Sequence, residues 1–208
     1  MTDDRAPFRI VEADFEAAAK SVTELPPPVA AEVAFAGRSN VGKSSLMNAL
    51  VGRRGLVRTS STPGCTRQLG FFRIRTADGL VAALVDLPGY GYARRSKAER
   101  SAWGELIEGY LLGRPTLRAV VVVIDARRGV EQEERDLFEL VGSAPRTRRP
   151  PVALVVAATK LDRLPAHQRK PALARLTRDA GVPVVGFSAK DGTGRELLWQ
   201  RIRATLTS

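Results

Sequence analysis

Eight residues, Gly37-Arg38-Ser39-Asn40-Val41-Gly42-Lys43-Ser44, constrain this chain more than any other stretch. They fit the pattern G-x-x-x-x-G-K-[ST] and follow a short apolar run, Glu32 to Ala36, that reads as a buried strand. The glycines let the backbone curl so that successive N–H groups converge on phosphate oxygens. Ser45-Leu46-Met47-Asn48-Ala49-Leu50 then opens a helix whose positive end faces the same anion. Lys43 brings a point charge for β- and γ-phosphates, and Ser44 a hydroxyl for Mg²⁺. Strand, loop and helix in this order predict a phosphate-binding loop in an α/β protein that takes a nucleoside triphosphate.

Three later segments extend the pattern. Leu80 to Val85 reads as a strand that delivers Asp86-Leu87-Pro88-Gly89, where an acid can hold Mg²⁺ through water and a glycine N–H can meet the γ-phosphate. Pro151 to Ala158 ends in Thr159-Lys160-Leu161-Asp162, and Val182 to Phe187 ends in Ser188-Ala189-Lys190. Each motif falls at a strand's C-terminal end, where open α/β sheets bind ligands. The Asp162 carboxylate can accept two hydrogen bonds from guanine that adenine cannot offer, so the chain is expected to prefer GTP. Three of only six lysines, Lys43, Lys160 and Lys190, lie in these motifs, where a compact ammonium suits better than a planar fork. Other roles stay open: Asp162 as a helix N-cap before Pro165, and Ser188 as the cap of the last helix.

With 208 residues, 44% of them hydrophobic, the chain can bury a core without disulfides or metals. The hydrophobic pattern predicts strands near 32–36, 70–76, 80–86, 118–125, 152–158 and 182–187. Helices are expected near 44–52, 97–112, 131–142, 166–180 and 193–206. Their alternation implies a mainly parallel six-stranded sheet with helices on both faces in one domain over 29–208, and the phosphate-binding loop with the guanine-type motifs makes a P-loop NTPase G domain the expected fold. Residues 1–28 read as an N-terminal extension outside that core, amphipathic around Phe8 to Phe15 and stiffened by Pro26-Pro27-Pro28. No apolar run has membrane-spanning length, and Met1-Thr2-Asp3-Asp4 has the wrong charge for a signal peptide, so a soluble, cytoplasmic protein is expected. The single Cys65 excludes an internal disulfide, and His167, the only histidine, reads as solvated.

The formal net charge is +11 and the pI near 10.7, which favours polyanionic partners. Six arginines (Arg53, Arg54, Arg58, Arg67, Arg73, Arg75) and no carboxylate fall between positions 53 and 75. A second group, Arg94, Arg95, Lys97 and Arg100, follows Asp86-Leu87-Pro88-Gly89, and a third, Arg146, Arg148 and Arg149, precedes the Thr159 strand. Ordinary decoration of exposed faces in an arginine-rich chain is the competing explanation.

Taken together, G-R-S-N-V-G-K-S-S-L-M-N at 37–48, S-T-P-G-C-T-R at 61–67, D-L-P-G-Y-G-Y-A at 86–93, T-K-L-D at 159–162 and S-A-K at 188–190 resemble the EngB (YihA/YsxC) family of ribosome-biogenesis GTPases, in the TrmE-Era-EngA-like group. The resemblance implies a monomeric, Mg²⁺-dependent GTP/GDP switch that serves assembly of the large ribosomal subunit and is linked to cell division and septation. An RNA-binding assembly factor stabilised by GTP, in which hydrolysis is incidental, is the alternative. By the same resemblance the nucleotide contacts are Gly37 to Ser45, Thr66, Asp86, Gly89, Thr159, Lys160, Asp162, Ser188, Ala189 and Lys190. Mg²⁺ would fall to Ser44, Thr66 and Asp86, with Thr62 a rival for Thr66. Cys65 and Arg67 depart from the arginine and glutamine usual in that loop. Tyr90 stands where related enzymes place a water-orienting glutamine, so unaided hydrolysis is expected to be slow and no catalytic side chain is assigned. Asn40 matches the position where potassium-dependent relatives hold K⁺; a loop-shaping Asx hydrogen bond is its other reading.

Overall fold

The computed structural model describes residues 9–57, 68–90, 97–143 and 150–207, and of residues 97–103 the backbone alone. Seven strands form one sheet: β1 Ile10–Ala19, β2 Ala31–Gly37, β3 Leu69–Thr76, β4 Val81–Asp86, β5 Leu117–Asp125, β6 Ala153–Thr159 and β7 Val184–Gly186. Five helices complete it: α1 Lys43–Val51, α2 Lys97–Gly113, α3 Gln132–Gly142, α4 Ala166–Ala180 and α5 Arg195–Leu206. The spatial order is β1-β3-β4-β2-β5-β6-β7, parallel from β4 to β7, with β3 antiparallel to both of its neighbours.

The period-2 alternation of the central strands explains the two layers of helices. On β5, Val121 and Val123 face one apolar cluster with Leu46, Met47 and Leu50 of α1 and Trp199 and Ile202 of α5. Val120 and Val122 face the other cluster, with Tyr110 of α2, Leu137 of α3 and Leu176 of α4. Both faces are therefore covered, as a continuous apolar strand requires. The Trp199 indole N–H donates to Leu50 O at 2.9 Å and locks α5 against the end of α1.

One expectation is corrected. The sheet has seven strands rather than six, because residues 10–19, read as part of an extension outside the core, pair antiparallel with β3 along its outer edge. Register shifts between Ile10 and Glu12 and between Phe15 and Ala17 break the alternation on which sequence recognition depends. Polar contacts also tie this edge: Glu12 takes a two-pronged hydrogen bond from Arg75, and Arg53 Nη1 donates to Ala13 O at 2.5 Å.

At the N-terminal end of β2, opposite the phosphate loop, lies a buried charge cluster that the sequence pattern did not single out. Glu32, the second residue of β2, accepts from Arg114 Nε at 2.8 Å, Tyr110 Oη at 2.9 Å and Thr116 Oγ1 at 2.8 Å. Arg114 also donates to Pro26 O at 2.7 Å, which pins the proline run to the end of α2. No helix among the described residues is long and apolar enough to cross a membrane.

Candidate functional site

The C-terminal ends of β2, β4, β6 and β7 gather the sequence-predicted residues along one edge of the sheet, apart from Thr66, which lies outside the described residues. Gly37 closes β2; Arg38, Ser39, Asn40 and Val41 form the loop; and Gly42 caps α1. Gly42 has φ 104°, a conformation that a side chain would strain, and it lets the chain turn from strand into helix within a few residues. Lys43 and Ser44 begin the helix and Ser45 follows, so the first-turn N–H groups of α1 open on the loop.

Lys43 is 8% exposed and its ammonium pairs with the Asp86 carboxylate at the end of β4, itself 5% exposed. This places the loop lysine and the acid of Asp86-Leu87-Pro88-Gly89 side by side. The loop after β4 stays against the phosphate loop: Ser39 N donates to Tyr90 O at 3.1 Å. A Cβ on Gly89 would meet Ser39 Oγ at 2.9 Å and Ser39 N at 3.1 Å, so any side chain there would push the phosphate loop aside. The Tyr90 phenol turns into the protein and donates to Glu134 Oε1 of α3 at 3.1 Å. Burial first, and then the Glu134 charge, push its ionisation well above the usual tyrosine range. Glu134 Oε2 accepts the Glu131 N–H at 2.9 Å, and Glu131 in turn holds Arg38 by an ion pair.

The guanine-type motifs converge on the same loop. The Thr159 hydroxyl donates to Val41 O at 2.7 Å, and Lys160 Nζ donates to Asn40 O at 2.8 Å. Leu161 N donates to Phe187 O at 3.2 Å, which sets Thr159-Lys160-Leu161-Asp162 beside Ser188-Ala189-Lys190. Asp162 sits in a short 3₁₀ turn over residues 161–163 and does not cap α4, whose N-cap is Pro165. Ser188 does not cap α5, which Gly194 caps; its fully buried Oγ receives the N–H groups of Lys190 and Asp191 at 3.3 and 3.4 Å. Ala189 and Lys190 are exposed at the rim. The Asn40 side chain makes no hydrogen bond to a described residue, so the Asx bond is not formed there.

Thr62, Cys65, Thr66 and Arg67 lie outside the described residues, as do Arg58, Arg94, Arg95, Arg146, Arg148 and Arg149. The side chains of Lys97 and Arg100 are likewise not described. The arginine segment is less bare than its sequence suggests. Although no carboxylate lies within positions 53–75, β1 brings Glu12 to Arg75 and Asp14 within 3.5 Å of Arg53.

Sequence reasoning passed over Asp125, the last residue of β5. Its carboxylate, 5% exposed, stands 3.1 Å from Lys160 Nζ and takes two bonds from the Arg127 guanidinium, at 2.9 and 2.7 Å. Burial opposes the charge, but the bonds from Arg127 and Lys160 prevail and hold the Asp125 carboxyl below the usual carboxylate range. The only signal was a lone acid closing an apolar run, which reads as an ordinary strand end.

This donor set suits a magnesium-bound nucleotide. A helix N-terminus and a buried ammonium face the place for phosphates, with a hydroxyl and a buried carboxylate next to them. A family model described as "50S ribosome-binding GTPase" matches residues 32–159. The chain is similar to a probable GTP-binding protein EngB of Anaeromyxobacter dehalogenans, at 46% identity over 206 residues covering 95% of this chain and 93% of the relative. A counterpart in Geobacter metallireducens is 41% identical, covering 97% and 95%. The crystal structure of a probable GTP-binding protein engB superposes with TM-score 0.64 at 24% identity, over 85% of this chain and 99% of the other, a likeness that carries the fold. A GTPase of this kind takes a guanine nucleotide with Mg²⁺. On the family match and near full-length identity, the chain belongs to the EngB family of GTP-binding proteins and is a GTPase.

Proposed function

We propose that the chain is a monomeric cytoplasmic GTP/GDP switch that acts in assembly of the large ribosomal subunit, with the link to septation that its family resemblance implies. The observation that carries the nucleotide part is the joining of both motif sets on one loop: Asn40 and Val41 carbonyls are held by Lys160 and Thr159, while Lys43 meets Asp86. Gly37 to Ser45 surround the phosphates, Asp162 reads the base, and Ser188, Ala189 and Lys190 back it. Ser44 and Thr66 would hold Mg²⁺ directly and Asp86 would do so through water, and the Gly89 N–H would meet the γ-phosphate. Mg²⁺ held there would offset the charge of the phosphate oxygens. The ribosomal part is supported by the description of the matching family model and by the net charge of +11.

The Tyr90–Glu134 bond favours slow unaided hydrolysis, since the side chain after Asp86-Leu87-Pro88-Gly89 is engaged by the scaffold. Positive charge can then come from K⁺ held at Asn40 or from an arginine supplied in trans. That same bond lends weight to the second reading, in which GTP stabilises an RNA-binding factor. Sedimentation with large-subunit particles in GTP, GDP and no nucleotide, with turnover measured in parallel, tests both. Association that follows GTP, with turnover raised by the particles, is the expected result. Equal association in all three states would refute the switch.

A further inference from the structure

Among the described residues two non-glycines have a positive φ, Asn40 at 62° and Lys160 at 59°, and one hydrogen bond joins them, from Lys160 Nζ to Asn40 O. Asparagine enters the left-handed region readily, whereas lysine must be held there. What holds it is at the end of the neighbouring strand. Asp125 and Thr159 are paired in the β5–β6 register, so the Asp125 carboxylate arrives beside the residue that follows Thr159. Asp125 is itself fixed, by the Arg127 N–H at 3.1 Å and by the Arg127 guanidinium.

We propose that Asp125 is a positioning residue for the guanine nucleotide: by anchoring the Lys160 ammonium it keeps Lys160 left-handed and so fixes Asp162 relative to the phosphate loop. The inference rests on the reading that Thr159-Lys160-Leu161-Asp162 takes the base. The turn containing Asp162 begins immediately after Lys160, so the backbone angles at Lys160 set where that carboxylate stands. Without the Asp125 charge the ammonium keeps the Asn40 carbonyl alone, and the strained residue can relax toward ordinary conformations. The Thr159–Val41 bond would still tie the base motif to the phosphate loop, but the position of Asp162 would be less sharply set, and a nucleotide that must touch both would bind more weakly. Chemistry at the γ-phosphate, which depends on the other side of the loop, would be spared.

The clasp is half open. The side chains of Arg127 and Lys160 are 42% and 23% exposed, and a polar cavity of about 180 Å³ borders Asn40, Asp125, Arg127 and Lys160. Water can therefore reach the two cations when the carboxylate is removed, which favours a folded variant.

The test compares Asp125→Ala and Asp125→Asn with the unaltered chain, using fluorescent GDP, GTP and IDP analogues and steady-state turnover, with a melting curve for each protein. IDP lacks the exocyclic amine, so its binding reports the second hydrogen bond to Asp162. In Asp125→Ala we expect GDP and GTP affinities to fall about tenfold, the GDP-over-IDP preference to shrink, and KM to rise while kcat stays within about twofold. Asp125→Asn, which keeps an acceptor for Lys160, should recover part of the loss, and it carries the test if the alanine variant does not fold. Unchanged GDP affinity and preference in a folded variant, or kcat falling with KM unmoved, would overturn the proposal. Asp162→Asn separates the two levels: if it keeps GDP over XDP, the base reading fails and takes this inference with it. If it moves preference to XDP while Asp125→Ala changes nothing, the clasp alone is wrong.

Discussion

Lys43 invites a perturbation whose size follows from the structure. Its side chain and that of Asp86 are 9% and 8% exposed and form an ion pair, so Lys43→Ala leaves a buried carboxylate without its cation. Breaking such a pair from one side costs roughly 3–5 kcal/mol, and the lower end applies here because the pair lies at the strand ends beside the loop. With a urea slope of about 2 kcal/mol/M, a loss of about 3 kcal/mol moves the unfolding midpoint down by about 1.5 M. The protein should remain folded in water, since domains carry about 5–15 kcal/mol of stability. Removing Asp86 as well takes away the orphaned charge, so Lys43→Ala with Asp86→Ala should cost less than the two single losses added, by about 1–3 kcal/mol. The assay is urea unfolding of nucleotide-free protein, repeated with GDP. At a hundredfold its Kd, GDP should raise the unaltered chain by about 2.7 kcal/mol, and Lys43→Ala by far less. A single variant within about 0.5 kcal/mol of the parent, or an additive double variant, would refute the reasoning from burial. Full GDP stabilisation of Lys43→Ala would refute the role at the phosphates.

The Glu32–Arg114 cluster gives a second stability test: Arg114→Ala should cost roughly 3–5 kcal/mol in thermal or urea unfolding. Pairing Arg114→Met with Glu32→Leu should restore more than half of that loss, and a double variant no better than the single would show that the hydrogen bonds rather than the orphaned charge dominate. Arg54 has no carboxylate partner among the described residues while Arg75 has Glu12, so Arg54→Gln should reduce the salt slope of large-subunit binding by about one unit and Arg75→Gln by less. Equal effects would mean that β1 does not shield its neighbours. Exchanging KCl for NaCl at equal ionic strength should slow GTP turnover, and Asn40→Ala should erase the difference; equal rates in the unaltered chain would remove K⁺ from the proposal.

The central strands and the loops that leave them were legible because each is a local pattern: an apolar run of strand length, then glycine, acid or lysine at fixed offsets. Lys43, Asp86, Thr159, Lys160 and Ser188 were all brought to one sheet edge by strands the sequence announced. What escaped depends on partners far apart in the chain. Glu32 falls in a run read as a buried strand, but nothing near it names what offsets its charge, because its cation stands 82 positions later at the end of α2. Asp125 owes its setting to the register of β5 against β6, which no local pattern states. β1 failed for a different reason: its two irregularities break the period, and only Ala13 and Ala19 are fully enclosed, so composition and alternation both pointed away from a strand.

The same long-range contacts bear on how the chain could turn over GTP. Arg38 in the phosphate loop is bound by Glu131 and Tyr90 by Glu134, so α3 braces both the loop and the residue after Gly89. Glu131 and Glu134 are also joined through the Glu131 N–H, which makes the brace one unit on the first turn of α3. Bringing the Tyr90 phenol toward a reacting water would mean giving up a hydrogen bond to a carboxylate, worth roughly 1.5–3 kcal/mol. At about 2 kcal/mol that conformer would be populated some thirtyfold less than the braced one. A partner could raise the rate by binding the released conformer better, and only by as much as its affinities for the two differ. A cation at the loop needs no such rearrangement, because it adds charge where the transition state develops it and leaves the α3 brace intact.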